Sequence, residues 1–339
     1  MIPDPDRRTP VFEAVTRESF ERDIRPLTRP AILKGLVSHW PAVEAGRRSE
    51  AALADHIRAF DTGKPVRVVS TEPALQGRFF YNDDLTALNF AQRPGTVSEV
   101  LDRLLADLAA IDAPGLAVQA APEPDILPGF GAANPQPLLD RNTFARLWIG
   151  NAVTVQTHHD LYENIACAVA GRRRFILFPP SRTRDLYVGP FETTPAGALV
   201  SMVKLEAPDH ARFPRFADAW AEAELADLEP GDALYIPYMW WHHVRSLDAF
   251  SVLANYWWNP APAHLAPMPA LIHAMMAVRD LPADQRAAWA GMFEAFVFGP
   301  ETPAGRHLPP GRQGIQGPMD AAAAAQVREI LARTLSQPQ

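Results

Sequence analysis

From about residue 145 to 260 the sequence breaks into short apolar segments divided by turn signals: "RLWIGN", "VTVQTH", "NIACAVA", "RRFILF", then "LADLEPGDALYIP", "WWHHVRSL" and "FSVLANYWW". Several short strands at such close spacing predict an all-β sandwich or barrel. "EPGD" at 229–232 is a Pro-Gly turn between two of them. The 34 prolines suit a loop-rich β architecture better than a helical bundle. The stretch 179–222 is polar, proline-containing and too long for a hairpin, and is expected to be a functional excursion or lid.

The flanks differ. In the first third, "PAILKGL" (30–36), "VRVVS" (66–70), "RFFYN" (78–82) and "GLAVQA" (115–120) read as strands. A helix is expected at 49–60 with Ser49 as its cap, and another at 96–110, where Thr96 and Glu99 have capping-box spacing. After about 265, "PALIHAMMAVRDL", "PADQRAAWAGMFEAFVFG" and "MDAAAAAQVREILARTL" carry apolar residues at helical spacing. The expected division is a mixed α/β part over 1–120, a β core over 121–262 and a helical region over 263–339. Those last helices either pack on the β core or pair with a second copy.

A hydrophobic share of 47% and a charged share of 21% are ordinary for a globular chain. No apolar run reaches the roughly 18 residues of a membrane span, and the N-terminus lacks the apolar stretch of a secretory signal. A cytoplasmic location is therefore expected. The one cysteine, Cys167, excludes an intrachain disulfide and a cysteine-based zinc knuckle, so any metal must be held by nitrogen and oxygen. A net charge of −7 argues against nucleic acid as a partner. Arg172, Arg173 and Arg174 form the only compact basic run in the middle of the chain.

"QTHHDLYEN" (156–164) is the densest cluster of ligating residue types. On a strand His158 and Asp160 point to one side and His159 to the other, giving either a ready chelate or a surface His–Asp pair. In "YIPYMWWHHVRSL", turning His242 inward takes Trp240 and Val244 with it and leaves Arg245 outside. Turning His243 inward would bury Arg245 at a cost of roughly several kcal/mol. His242 is therefore the better ligand. The sequence has no His-Glu-x-x-His helix, Gly-x-Ser-x-Gly elbow or glycine-rich phosphate loop. Two histidines and one carboxylate with open coordination positions are the ligand set of non-haem Fe(II) oxygenases.

"THHDLYENIACAVAGRRRFILFPP", "LEPGDALYIPYMWWHHVRSL" and "NYWW", with "PAILKGLVSHWPAV" upstream, resemble the cupin-like branch of the Jumonji-C oxygenases, which includes asparaginyl hydroxylation among its activities. The resemblance implies a mainly β fold with flanking helices, built on a double-stranded β-helix (cupin or jelly-roll) core. It also implies Fe(II), 2-oxoglutarate as cosubstrate and O2. His158, Asp160 and His242 match the metal ligands. Asn164, Asn255 and Trp257 match residues lining the cosubstrate site, although Asn164 could equally be a buried amide satisfying backbone groups. Arg173 stands where many members have a lysine gripping the distal carboxylate; otherwise it is part of a charged strand start. Trp240 and Trp257 suit the exclusion of solvent, or are simply core.

Three departures from the family's pattern stand out. Ala117 falls where a tyrosine helps hold that carboxylate, and Thr154, the remaining candidate cosubstrate contact, lies one residue out of register with Val155 in its place. These imply weaker cosubstrate binding or a substitute hydroxyl such as that of Tyr81. "PAGALVSMV" (195–203) replaces the polar residues that grip the hydroxylase's peptide, implying a different substrate motif. The resemblance thus points to a dioxygenase hydroxylating a C–H bond, with a protein or peptide side chain as substrate. The alternatives are a metal-binding cupin without oxygenase activity, serving as a sensor or binding module, and a small-molecule hydroxylase. Because related hydroxylases pair through C-terminal helices, it also implies a homodimer.

Overall fold

A computed structural model describes residues 4–195, 197–299 and 304–336. The strands are, in chain order, β1 (Arg7–Arg8), β2 (Val11–Glu13), β3 (Ala31–Lys34), β4 (Val66–Ser70), β5 (Arg78–Phe79), β6 (Ala91–Gly95), β7 (Leu116–Pro122), β8 (Ala145–Gly150), β9 (Thr154–His159), β10 (Glu163–Ala170), β11 (Arg173–Phe178), β12 (Glu224–Leu228), β13 (Ala233–Ile236), β14 (Trp241–Ser246) and β15 (Ser251–Trp258). They form a smaller sheet ordered β1-β12-β11-β14-β9-β5 and a larger one ordered β2-β3-β13-β10-β15-β8-β7-β4-β6. The chain switches sheets repeatedly between β8 and β15, which gives the cupin or jelly-roll core.

Alternation sorts the side chains. Phe175, Leu177 and Val244 of the smaller sheet meet Ala166, Ala168, Leu234 and Leu253 of the larger sheet in the space between them. The outer face of the larger sheet, with Ile165, Cys167, Val169 and Val252, packs on Trp40, Leu53, Ile57 and Leu101. Three of these four belong to two helices, Glu50–Arg58 and Val97–Ala106. The helices begin where their caps require: Ser49 accepts from the Ala52 amide, and Thr96 and Glu99 close a reciprocal box. A helix not foreseen, Pro41–Arg48, precedes them, with proline at its first position, where a missing N–H costs nothing.

The outer face of the smaller sheet is covered as well. Ile176, Phe178, Leu225 and Trp241 are buried against Leu186, Val203, Leu205, Phe213 and Phe216 from the long 179–222 stretch. That stretch is thus a packed cover along the sheet. Since β3, β4, β6 and β7 hydrogen-bond into the larger sheet, the first third is part of the same two-sheet body, and the boundary expected at 120 falls within β7.

The chain divides into two compact units, Met1–Asn259 and Pro260–Gln339. The second contains helices Pro267–Val278, Ala283–Phe293 and Ala321–Leu335. The first two of these bury no residue, and Leu271, Ile272, Met276, Trp289 and Phe298 are exposed. No helix among the described residues is long and apolar enough to cross a membrane.

Gly77 fixes where β9 begins. Its carbonyl accepts from the Thr154 amide, its φ is +71°, and a Cβ there would meet the Ala152 carbonyl oxygen at 2.5 Å. Gly77→Ala is expected to destabilise the fold by about 2 kcal/mol or more through combined strain and overlap. Urea denaturation would show this as a lower midpoint; an unchanged midpoint would mean the turn relaxes freely.

Candidate metal centre

His158 and His242 sit directly opposite each other on β9 and β14, and their rings lie 4.2 Å apart, tilted by 55°. Asp160 follows the end of β9. Ligand atoms of the three side chains all lie within 4.8 Å of one another, and His242 Nε2 is 3.7 Å from Asp160 Oδ2. Two ligands bound at about 2.0–2.2 Å to one ion can be no more than about 4.4 Å apart, so the pair is close enough to share it. The imidazoles are also oriented for the task. Nδ1 of His158 contacts the Gln156 carbonyl at 2.8 Å and Nδ1 of His242 the Trp240 carbonyl at 3.0 Å. A carbonyl oxygen only accepts, so each Nδ1 carries the proton and each Nε2 offers its lone pair. Burial, reinforced by His158, pushes His242 well below the usual imidazole range and keeps it neutral, while burial raises the Asp160 carboxyl.

Backbone features hold the ligands together. The Met239 amide donates to the Asp160 carbonyl at 3.1 Å, and Met239 adopts φ +62°, an uncommon conformation for a residue with a side chain. This joins the turn before β14 to the turn after β9. The neighbouring histidines face elsewhere. His159 packs edge-on to Trp241 with ring centroids 4.5 Å apart, and burial lowers it to about 4. His243 lies behind the sheet, with Nδ1 3.3 Å from the Thr157 hydroxyl. Its Nε2 is 3.3 Å from Glu206 but not aligned for a hydrogen bond, and Glu206 pairs with Arg78. Burial, with Arg78 and Arg245 adding to it, lowers His243 to about 3.

Between His158 and Val155 the strand carries one extra residue. His242 pairs with His158 but Val244 pairs with Val155, so Gln156 and Thr157 together face His243. This β-bulge reverses the alternation. Val155 joins the interior, whereas Thr154 pairs with Arg245 and lines a different, surface cleft with Gly77 and Asn151. Thr154, expected among the cosubstrate contacts, is therefore placed away from them.

Arg173 lines an interior cavity together with Phe79, Ala117, Gln119, Trp148, Val155 and Ser246. Its two neighbours behave differently: Arg172 pairs with Asp248 and Arg174 with Asp227 and Asp4, all at the surface. Arg173 is 7% exposed, and among the described residues it has no carboxylate partner, only the Ser251 hydroxyl, which accepts from it at 2.7 Å. Burial alone brings it down to about 10. An unpaired guanidinium is costly to bury unless an anion joins it.

Asn164 and Trp257 are paired residues on β10 and β15, and Asn164 Oδ1 and Trp257 Nε1 are buried without a partner. The Trp257 ring is stacked on Tyr162 at 6.0 Å and overlaid by Arg146 at 4.9 Å. Asn255 accepts from Trp148 Nε1 at 2.9 Å. Tyr81 donates to the Thr193 carbonyl at 2.5 Å, so its hydroxyl is already engaged. Missed in the sequence were Ser251, the Glu206–Arg78 pair behind His243, and Gln119. Only Gln119 had a local signal, since it lies two residues from Ala117 on the same strand.

A Cupin-like domain profile matches residues 17–264. HSPB1-associated protein 1 of Rattus norvegicus is 38% identical over 124 residues, 35% of this chain and 25% of that protein. Lysine-specific demethylase 8 of Xenopus tropicalis is 27% identical over 267 residues, 76% of this chain and 54% of that protein. tRNA wybutosine-synthesizing protein 5 of Gallus gallus is 27% identical over 270 residues, 76% of this chain and 79% of that protein. The chain thus spans about a quarter of the first of these relatives and about half of the second.

Equilibrium dialysis against Mn(II) or anaerobic Fe(II) should find one ion per chain. Replacing His158, Asp160 or His242 by alanine should reduce occupancy by at least about tenfold, and His159→Leu should leave it intact. Equal loss in all four variants would argue against this ligand assignment.

Proposed function

Because the chain belongs to the cupin-like domain family, in the Jumonji-C type that its motifs resemble, we propose that it is an Fe(II)- and 2-oxoglutarate-dependent oxygenase that hydroxylates a C–H bond. One observation carries the reading. A buried guanidinium with no carboxylate partner among the described residues, Arg173, lines a cavity that shares residues with the cavity of the metal ligand His158. A dicarboxylate with a 2-oxo group suits both ends, since one carboxylate neutralises Arg173 bidentately and the other end chelates.

When bound, Fe(II), 2-oxoglutarate and O2 supply the oxidising power: one oxygen atom enters the substrate C–H bond and the other enters succinate, with release of CO2. The chain's own residues do the rest. His158, Asp160 and His242 would hold the ion, the imidazoles kept in a single tautomer by backbone carbonyls. Arg173 sets the direction of the cosubstrate, and Asn164 and Trp257 offer the unspent acceptor and donor of the wall. Val155, Val244, Leu253 and Trp240 keep water out of the interior.

A protein or peptide side chain is the substrate class favoured. It accords with the lysine named in the demethylase relative and with the net charge of −7, which opposes nucleic acid. A tRNA substrate is the second reading, motivated by the relative whose length this chain spans most fully of the three. The C-terminal unit supports a homodimer: two helices with no buried residue expose Leu271, Ile272, Met276 and Trp289, a set that a second copy would cover.

With iron and ascorbate the protein should convert 2-oxoglutarate to succinate, and Asp160→Ala should abolish the conversion. Arg173→Ala should raise the 2-oxoglutarate requirement roughly 10- to 100-fold. Absence of both succinate and 2-oxoglutarate binding would favour a metal-binding module without oxygenase activity. Peptide pools should raise turnover where total tRNA does not, and the opposite pattern would move the assignment to tRNA.

Light scattering at micromolar concentration should give twice the mass of the 37.3 kDa chain. The double substitution Leu271→Glu and Met276→Glu should give the single mass; a monomeric wild type would remove the dimer.

A further inference from the structure

The cavity of Arg173 and the cavity of His158 have three lining residues in common, Phe79, Gln119 and Val155, and only Gln119 is polar. Gln119 and Ala117, two residues apart on β7, both line the cavity of Arg173. The Gln119 Oε1 is buried and has no hydrogen-bond partner among the described residues. Of the polar groups lining the same cavity, Trp148 donates to Asn255 and one guanidinium nitrogen of Arg173 donates to Ser251. No protein contact to that oxygen fixes the carboxamide, and a half-turn about its last bond exchanges donor and acceptor in place. A ligand bearing only acceptor oxygens would therefore turn the NH2 group toward itself.

We propose that Gln119, which lines both the cavity of Arg173 and that of His158, donates its side-chain amide to a carboxylate oxygen of 2-oxoglutarate. The proposal rests on the oxygenase reading above, which supplies the ligand. It also accounts for the alanine at 117: in this cavity the polar contact from β7 is made from position 119 instead.

Binding can be read without turnover, by calorimetric titration of the full chain, loaded with Mn(II) under anaerobic conditions, with 2-oxoglutarate. Gln119→Met, close in size but without an N–H donor, should weaken binding about tenfold. Gln119→Glu, which removes the donor and adds a negative charge, should weaken it further. A residue that only fills space would not produce that order. Thermal unfolding without ligand checks that the variants are folded, and Gln119→Asn, whose carboxamide falls short, replaces the Met variant if that one does not fold. Wild-type affinity in the Met or Asn variant, or tighter binding by the Glu variant than by its neutral counterpart, overturns the role of Gln119 while weakened binding by Arg173→Ala keeps the cosubstrate site. A wild type that does not bind 2-oxoglutarate overturns the oxygenase reading and this inference together.

Discussion

The pairing of β9 with β14 is the constraint on which the centre depends. It sets His158 opposite His242, and the extra residue in β9 then lets His158 and Val155 both face the interior although three positions separate them. Without the bulge, strict alternation would put Thr154 and Gln156 inside with His158. Gln156 instead bonds to the Ser201 and Val203 carbonyls of the covering stretch. The same irregularity therefore shapes the metal centre, leaves an apolar wall beside the cavity, and anchors the cover on the outer face.

That cover explains how two adjacent histidines come to differ so much. His242 has its Nδ1 proton committed to a carbonyl and its Nε2 free, whereas His243 lies between Thr157 and the Glu206–Arg78 pair. Both are buried and both are held neutral by the loss of solvent. Their roles are separated by the strand face from which each projects.

Much of this was legible in the sequence because it rests on local rules. Short apolar segments marked β10, β11, β14 and β15 to within a residue or two, the Pro-Gly turn at 229–232 separated β12 from β13, and the caps at Ser49 and Thr96 started their helices. His242 could be told from His243 because Arg245 shares a face with His243 and a guanidinium resists burial. What could not be read depends on partners distant in the chain. A bulge is defined by the opposing strand, so the placement of Val155 rather than Thr154 inside had no signature of its own. Glu206 reaches His243 from 37 residues away, a separation that no periodicity records. The serine that meets Arg173 lies 78 residues on, at the start of β15. The basic run at 172–174 looked uniform, yet a strand sends its middle residue to the opposite side from the other two.

The isolated charge of Arg173 ties the endurance of the folded chain to its surroundings. A ligand that occupies only the native state stabilises it by RT ln(1 + [L]/Kd), about 2.7 kcal/mol at a hundredfold excess over Kd. An anion seated on this guanidinium would therefore raise the resistance of the fold to heat and to proteases as its concentration rises.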